Sequence, residues 1–386
     1  MELTELLGEL GRQGGSDLHL VSGSVPRLRV DGHLRPMESP PLTNQDMFQL
    51  TASLLTDAQH QQVMKTGTWD GAYSVPAIGR FRVHVYTQQG SLAMAIRTVS
   101  GKIPTFEELG LPPIIGELMK KPQGLILVTG PTGSGKSTTL ASMLDHINEA
   151  RPAHIISLED PIEVLHSHKK SLVSQMEVGS DVREFQSALK GILRQDPDVV
   201  FLGELRDLET IQAALTMAET GHLTVATLHT NSAIHTLTRL ISVFPSHQQQ
   251  EIRIQLSMVL EGILAQRLLP RSEGRGRVLA LEILITSPAI RNLIREDKIH
   301  QMYSMMQTGQ AQYGMQTMNQ ALADLAGQGV ISSELAMGLT TLPDELSKLL
   351  ERTGRERPGA MSLARLRPRM WMSLRAFLIF HGKSEQ

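Results

Sequence analysis

Residues 125–138 read LILVTGPTGSGKST. An apolar run ends at Gly130, and Gly130-Pro131-Thr132-Gly133-Ser134-Gly135-Lys136-Ser137 then matches G-x-x-x-x-G-K-[ST], with Thr138 next. Beyond it, Leu140, Met143, Leu144 and Ile147 recur at i, i+3, i+4, i+7, one face of a helix. Strand, glycine-rich turn and helix together form a phosphate grip. The glycines let the backbone curl so that successive N–H groups face one anion, and the helix adds its positive dipole end. Lys136 is placed for β- and γ-phosphates, and the Ser137 hydroxyl for Mg2+. The bland reading, a glycine-rich strand–helix turn, explains the bend but not the Lys-Ser pair.

Working outward, four more short apolar runs follow: 154–160 (HIISLED), 198–204 (DVVFLGE), 223–229 (LTVATLH) and 278–285 (VLALEILI). None alternates, as expected of strands buried on both faces of a parallel sheet. Helical stretches separate them, so the fold class is α/β, a nucleotide-binding arrangement. After Thr286 the pattern becomes helical. Residues 1–100 read differently, as a small α+β domain. Asp31-Gly32 predicts a hairpin, 80–86 (RFRVHVY) and 91–98 (SLAMAIRT) alternate around a turn at Gln88-Gln89-Gly90, and Asn44 to Lys65 reads as helix after Thr43 and Asp46. Ser100-Gly101, Pro104 and Pro112-Pro113 predict a linker over 101–115. The expected organisation is therefore 1–100, a linker at 101–115, a P-loop domain with a helical C-terminal part at 116–350, and a basic tail at 351–386. That tail has seven Arg and one Lys against three Glu. It reads either as a disordered basic end or as a segment touching anionic lipid.

Composition excludes several chemistries. The chain has 386 residues and no cysteine, which removes thiol catalysis, disulfides and cysteine-ligated metal centres. Net charge is −2, so no global nucleic-acid signature is present. MELTELLGEL lacks an apolar signal core, and no run approaches the ~18 apolar residues of a membrane span. A soluble, cytoplasmic protein is expected.

Carboxylates gather near the phosphate site. Glu204 follows the run at 199–203 and is placed to hold Mg2+ or its water. Glu159, Asp160 and Glu163 crowd another strand end, after which Pro161 fixes a turn. Three carboxylates beside a triphosphate either point away or serve the metal and the water. Glu163 is the preferred base for the attacking water, with Glu204 the competitor; Glu159 and Asp160 also fit turn or cap roles. His222 and His229 bracket the run LTVAT seven residues apart, roughly 23 Å along a strand, too far to share a metal.

GPTGSGKST, LEDPIE, GELRDLET and ETGHLTVATLHTNSA occur in that order. The set resembles the secretion ATPase superfamily of type IV pilus and type II secretion motors, with Walker A, acidic-box, Walker B and histidine-box segments. SDLHL, GRFRVHVY, AIRNLIRE and GMQT are similar to its retraction branch, the PilT-like twitching-motility ATPases. The resemblance spans about residues 14–346. It implies a PAS-like first domain, a RecA-like second, a ring of six chains, and ATP held between the domains. It implies Mg2+ at Ser137 and Glu204, water handled by Glu163, and His222 and His229 acting at the nucleotide. Arg80, Arg82 and Arg97 fall where the family supplies arginines, and Arg82 and Arg97 are taken as catalytic with Lys136. The implied partners are an inner-membrane pilus platform protein and a paralogous retraction ATPase, at the inner face of the cytoplasmic membrane, with no nucleic acid. Assembly and type II secretion relatives carry a tetracysteine module, which a cysteine-free chain lacks. The tail has no counterpart in the retraction branch; a longer C-terminus fits an accessory retraction subunit, although AIRNLIRE favours the principal motor. A nucleic-acid-driven motor and a weakly active regulatory subunit are the rival classes.

Overall fold

The computed structural model describes residues 2–30, 32–76, 78–99, 102–274 and 276–355, so the expectations for the rest of the basic tail lie outside it. Contacts divide the chain into two units. One runs Met1–Leu269 and Arg277–Thr317; the other gathers Pro270–Gly276 and the described residues from Met318 onward.

The first unit contains two sheets, each with its own core. Strands β1 (Asp17–Val21), β2 (Arg27–Val30), β3 (His33–Pro36), β4 (Thr68–Val75), β5 (Gly79–Gln88) and β6 (Ser91–Val99) form an antiparallel sheet ordered β3-β2-β1-β6-β5-β4. Gln89 and Gly90 take φ of 48° and 74°, the left-handed pair that a two-residue hairpin between β5 and β6 requires. The helix expected over 44–65 is two helices, Asn44–Leu54 and Asp57–Thr66. Thr56 and Gln59 form a second capping box like that of Thr43 and Asp46, and so restart the helix. A further helix, Leu3–Arg12, turns Leu3, Leu6, Leu7 and Leu10 into this core. Strand β4 was not expected, because Gly71 interrupts its pattern. A Cβ there would meet the Trp69 ring at 2.3 Å, so the glycine makes room for the indole.

The second sheet comprises β7 (Gly124–Thr129), β8 (His154–Glu159), β9 (Leu172–Glu177), β10 (Val199–Leu202), β11 (Leu223–Leu228), β12 (Leu260–Pro270) and β13 (Arg277–Ile285). Its order is β13-β12-β7-β11-β10-β8-β9. Pairing is parallel from β12 across to β9. As expected of a sheet covered on both sides, β7, β10 and β11 are buried at every position. Alternate residues feed opposite cores: Leu125, Leu127, Ile156, Leu158 and Val200 on one face, Ile126, Val128, Ile155, Val199 and Phe201 on the other. Each such side chain contributes about 1.5–3 kcal/mol of burial. Two strands escaped the sequence reading. β9 (LVSQME) is an edge strand and only half apolar. β12 starts one residue after the helix Gln249–Val259, so no turn separates the two patterns.

The second unit holds the helices Met318–Gly327, Ser333–Leu339 and Pro343–Arg355. Buried Asn319 joins them: its Nδ2 donates to the Leu342 carbonyl (3.2 Å) and Glu345 (3.0 Å), and its Oδ1 accepts from Thr340 (2.6 Å).

Candidate active site

Parallel pairing puts the C-terminal ends of β7, β8, β10 and β11 on one edge of the sheet, where α/β folds place ligands. A cleft of about 990 Å³ opens there. Thr132, Gly133, Gly135, Lys136, Ser137 and Thr138 line it. Gly130 has φ 148°, and a Cβ on it would lie 2.4 Å from the Gln266 carbonyl, so only glycine fits. Gln266 itself, on β12, donates from Nε2 to the Ser134 carbonyl at 2.8 Å and ties down the crown of the turn. Ser134 is buried beneath that crown. The helix Lys136–Ala150 starts at Gly135 with no side-chain cap, leaving its first N–H groups for an anion.

Lys136 Nζ donates to the carbonyls of Gly130 (2.8 Å) and Pro131 (3.2 Å) and lies 3.4 Å from His229 Nδ1. Burial pulls its pKa down, while the charges of Glu204 and Glu163 oppose that shift. The two carboxylates differ in their surroundings. Glu204 sits 3.3 Å from His229 Nε2 and accepts from Arg206 Nε at 3.0 Å. Glu163 lines the same cleft, and among the described residues no ion pair ties its carboxylate. Glu159, at the end of β8, accepts from Ser157 (2.6 Å) and Gln175 (3.1 Å). Burial still lifts its pKa above the usual carboxylate range, against both hydrogen bonds. Asp160 points toward Arg206, 3.8 Å away.

The arginines separate into two kinds. Arg82 on β5 and Arg97 on β6 are direct cross-strand partners, and both line this chain's own cleft. Like charges in that register repel. Asp17 offsets part of the repulsion by accepting from Arg97 at 2.9 Å. Burial alone would raise the Asp17 carboxyl; hydrogen bonds from Ser16 and Arg97 outweigh it and hold the pKa low. Arg80, in contrast, turns to the acidic box, where it bonds Ile162 and Glu177.

The histidines separate too. His229 follows β11 and stands in the site between Lys136 and Glu204. His222 precedes β11, at the far end of the sheet, where its Nδ1 meets the Met217 carbonyl at 3.0 Å. The expectation that His222 acts at the nucleotide is therefore corrected for this chain: a whole strand separates it from the phosphate turn. Arg291 of AIRNLIRE donates to the carbonyls of Ser257 (2.8 Å) and Met258 (2.7 Å) and to Glu261 (2.7 Å). It caps the helix Gln249–Val259. Ile290 and Ile294, on the same helix, are buried.

His166 is a site residue the sequence reading missed. It lines the cleft, its side chain is 2% exposed, and Nδ1 lies 3.9 Å from Asp145 Oδ1 with no hydrogen bond. Burial holds the imidazole pKa below its ordinary 6.5, with Asp145 pulling the other way. The unfolded chain therefore takes up this proton first as pH falls. Its contribution to stability is complete above about 6.5 and is lost as pH falls through the folded-state value. The melting temperature will drop between pH 7 and 5.5, and His166→Gln will flatten that slope in scanning calorimetry.

The family model described as Type II/IV secretion system protein matches residues 2–337. The chain is 46% identical over 344 residues to the type IV pilus retraction ATPase PilT of Pseudomonas aeruginosa, covering 89% of this chain and 99% of that protein. It is 45% identical over 312 residues to a twitching motility protein of Neisseria gonorrhoeae, covering 81% and 83%. A crystal structure of the pilus retraction motor PilT with bound ADP superposes with a TM-score of 0.85 at 49% identity, covering 90% of this chain and 99% of that one.

Proposed function

The chain belongs to the type II/IV secretion system protein family, and we propose that it is a hexameric ATP-hydrolysing motor that powers type IV pilus retraction and twitching motility. It converts ATP and water to ADP and phosphate. The observation that carries this reading is one cleft lined by a phosphate-gripping turn, the carboxylates Glu163 and Glu204, and the facing arginines Arg82 and Arg97.

Mg2+ suits the donors present. The Ser137 hydroxyl and Glu204 carboxylate are hard oxygen ligands, and among the described residues no cluster of three His, Asp or Glu offers an all-protein cage. That set fits an ion shared with nucleotide phosphates and water. Bound there, it would neutralise charge on the β- and γ-oxygens. Lys136 leaves its own turn's carbonyls for the phosphates. Glu163, which no ion pair ties among the described residues, orients the attacking water and takes its proton. Arg82 and Arg97 supply planar cations to the transferring phosphoryl group from the antiparallel sheet. Residues 1–100 and 116–350 act as two domains across linker 101–115, opening and closing on the nucleotide.

Among the described residues no helix is long and apolar enough to cross a membrane. In this reading the motor works at the inner face of the cytoplasmic membrane through a platform protein, which the ring turns to draw pilin back. Deleting the gene and imaging the cells tests this. Abundant surface pili with twitching abolished are expected; bald cells would assign the motor to assembly. Stimulation of the purified enzyme's ATPase by DNA or RNA would point instead to a nucleic-acid motor.

A further inference from the structure

Arg80 is on the same strand face as Arg82, two residues away, yet it does not share Arg82's task. Its side chain is 17% exposed. Nε donates to the Ile162 carbonyl at 3.0 Å, and Nη2 donates to Glu177 Oε2 at 2.5 Å. The same Glu177 oxygen accepts the Ile162 backbone N–H at 3.0 Å. Both polar ends of Ile162 are thus held, one by Arg80 from the antiparallel sheet and one by Glu177 at the end of β9. The residue after Ile162 is Glu163. Fixing the Ile162 carbonyl fixes the peptide plane that leads into Glu163, and so the direction its carboxylate takes.

Glu177 is 5% exposed at its side chain and stands directly opposite Glu159 in the β8–β9 register. Without Arg80 it would be a lone buried charge facing a second carboxyl group. Among the described residues, Arg80 is the cation paired with it. The contact also crosses from one sheet to the other, so it exists only while the two sheets are closed together.

We propose that Arg80 is a positioning residue that couples closure of the antiparallel sheet to catalysis, gripping the Ile162 peptide and thereby aiming Glu163 at the attacking water. The inference rests on Glu163 being the base. Opening withdraws the guanidinium, releases the Ile162 carbonyl and leaves Glu163 misaimed, so hydrolysis waits for closure. Small misplacements of this kind cost up to about 100-fold in rate. Arg82 and Arg97 meet the phosphates directly; Arg80 acts through the acidic box.

The test uses the full chain with ATP, reading kcat, KM and ADP affinity. Arg80→Ala is expected to lower kcat by about 10- to 100-fold while ADP affinity stays within about twofold. In a Glu163→Gln background, Arg80→Ala should bring no further loss, because both act at one step. Arg80→Met with Glu177→Gln removes both charges and leaves no lone buried ion; its melting temperature should recover while kcat stays low. Recovery of kcat in that pair, multiplying losses in the Glu163→Gln background, or a fall in ADP affinity matching the fall in kcat would overturn the proposal. Wild-type turnover in Glu163→Gln would instead remove the base assignment. A dead Glu163→Gln beside a fully active Arg80→Ala would remove only the coupling.

Discussion

Lys136→Ala will lower ATP turnover by about 10²- to 10³-fold, about 2.7–4 kcal/mol of transition-state stabilisation. The reason lies in where the ammonium sits. It stands at the N-terminus of an uncapped helix, held to the carbonyls of Gly130 and Pro131 and partly buried. Burial depresses its pKa, and the nearby charges of Glu204 and Glu163 counter that. A triphosphate arriving between the turn and these carboxylates meets its strongest mobile cation there. Without that cation, two carboxylates face a polyanion with only backbone dipoles to offset them. Binding should weaken as well as turnover. Calorimetric titration with ATP and a phosphate-release assay measure the two losses separately. Wild-type affinity together with wild-type turnover would mean that the cleft is not the hydrolytic site.

Glu163→Gln should leave nucleotide binding intact and cut kcat by about 10²- to 10⁴-fold, the range for loss of a positioned general base. Glutamine keeps the shape and a carbonyl acceptor, so water can still sit there, but it cannot take a proton. Glu204 provides the contrast. Its carboxylate is already engaged by His229 and Arg206 beside Lys136, a place suited to metal-bound water. Glu204→Gln should therefore raise the Mg2+ concentration needed for half-maximal turnover. Titrating MgCl2 against both variants separates them. A Mg2+ shift in Glu163→Gln with a normal Mg2+ curve in Glu204→Gln would exchange the two roles.

Much of this site was legible because its signals are continuous in the chain. The turn from Gly130 to Ser137, the acid after β10 and the acids after β8 each follow an apolar run directly, so strand ends and chemistry are read together. Other parts had no such signal. Gln266 reaches Ser134 across 132 residues of sequence from a strand hidden behind a preceding helix. His166 belongs to a polar stretch without periodicity, and only packing against the phosphate-turn helix brings it to Asp145. The histidine pair shows the limit from the other side. Two similar motifs around one strand look equivalent in sequence, but a strand has two ends, and only His229 is at the one beside the phosphate turn.

By itself the sequence determined the parallel α/β architecture, the phosphate turn and the order of the acidic segments, because each rests on local periodicity or on glycines that one backbone conformation demands. The tertiary structure alone decided what each charge faces. Arg80 and Arg82 are two positions apart on one strand, and nothing in that spacing separates them. Arg80 meets a buried carboxylate 97 residues away in sequence, while Arg82 stands across from Arg97 over the cleft. The energy of a charge depends on the partners and water around it, and long-range folding sets those.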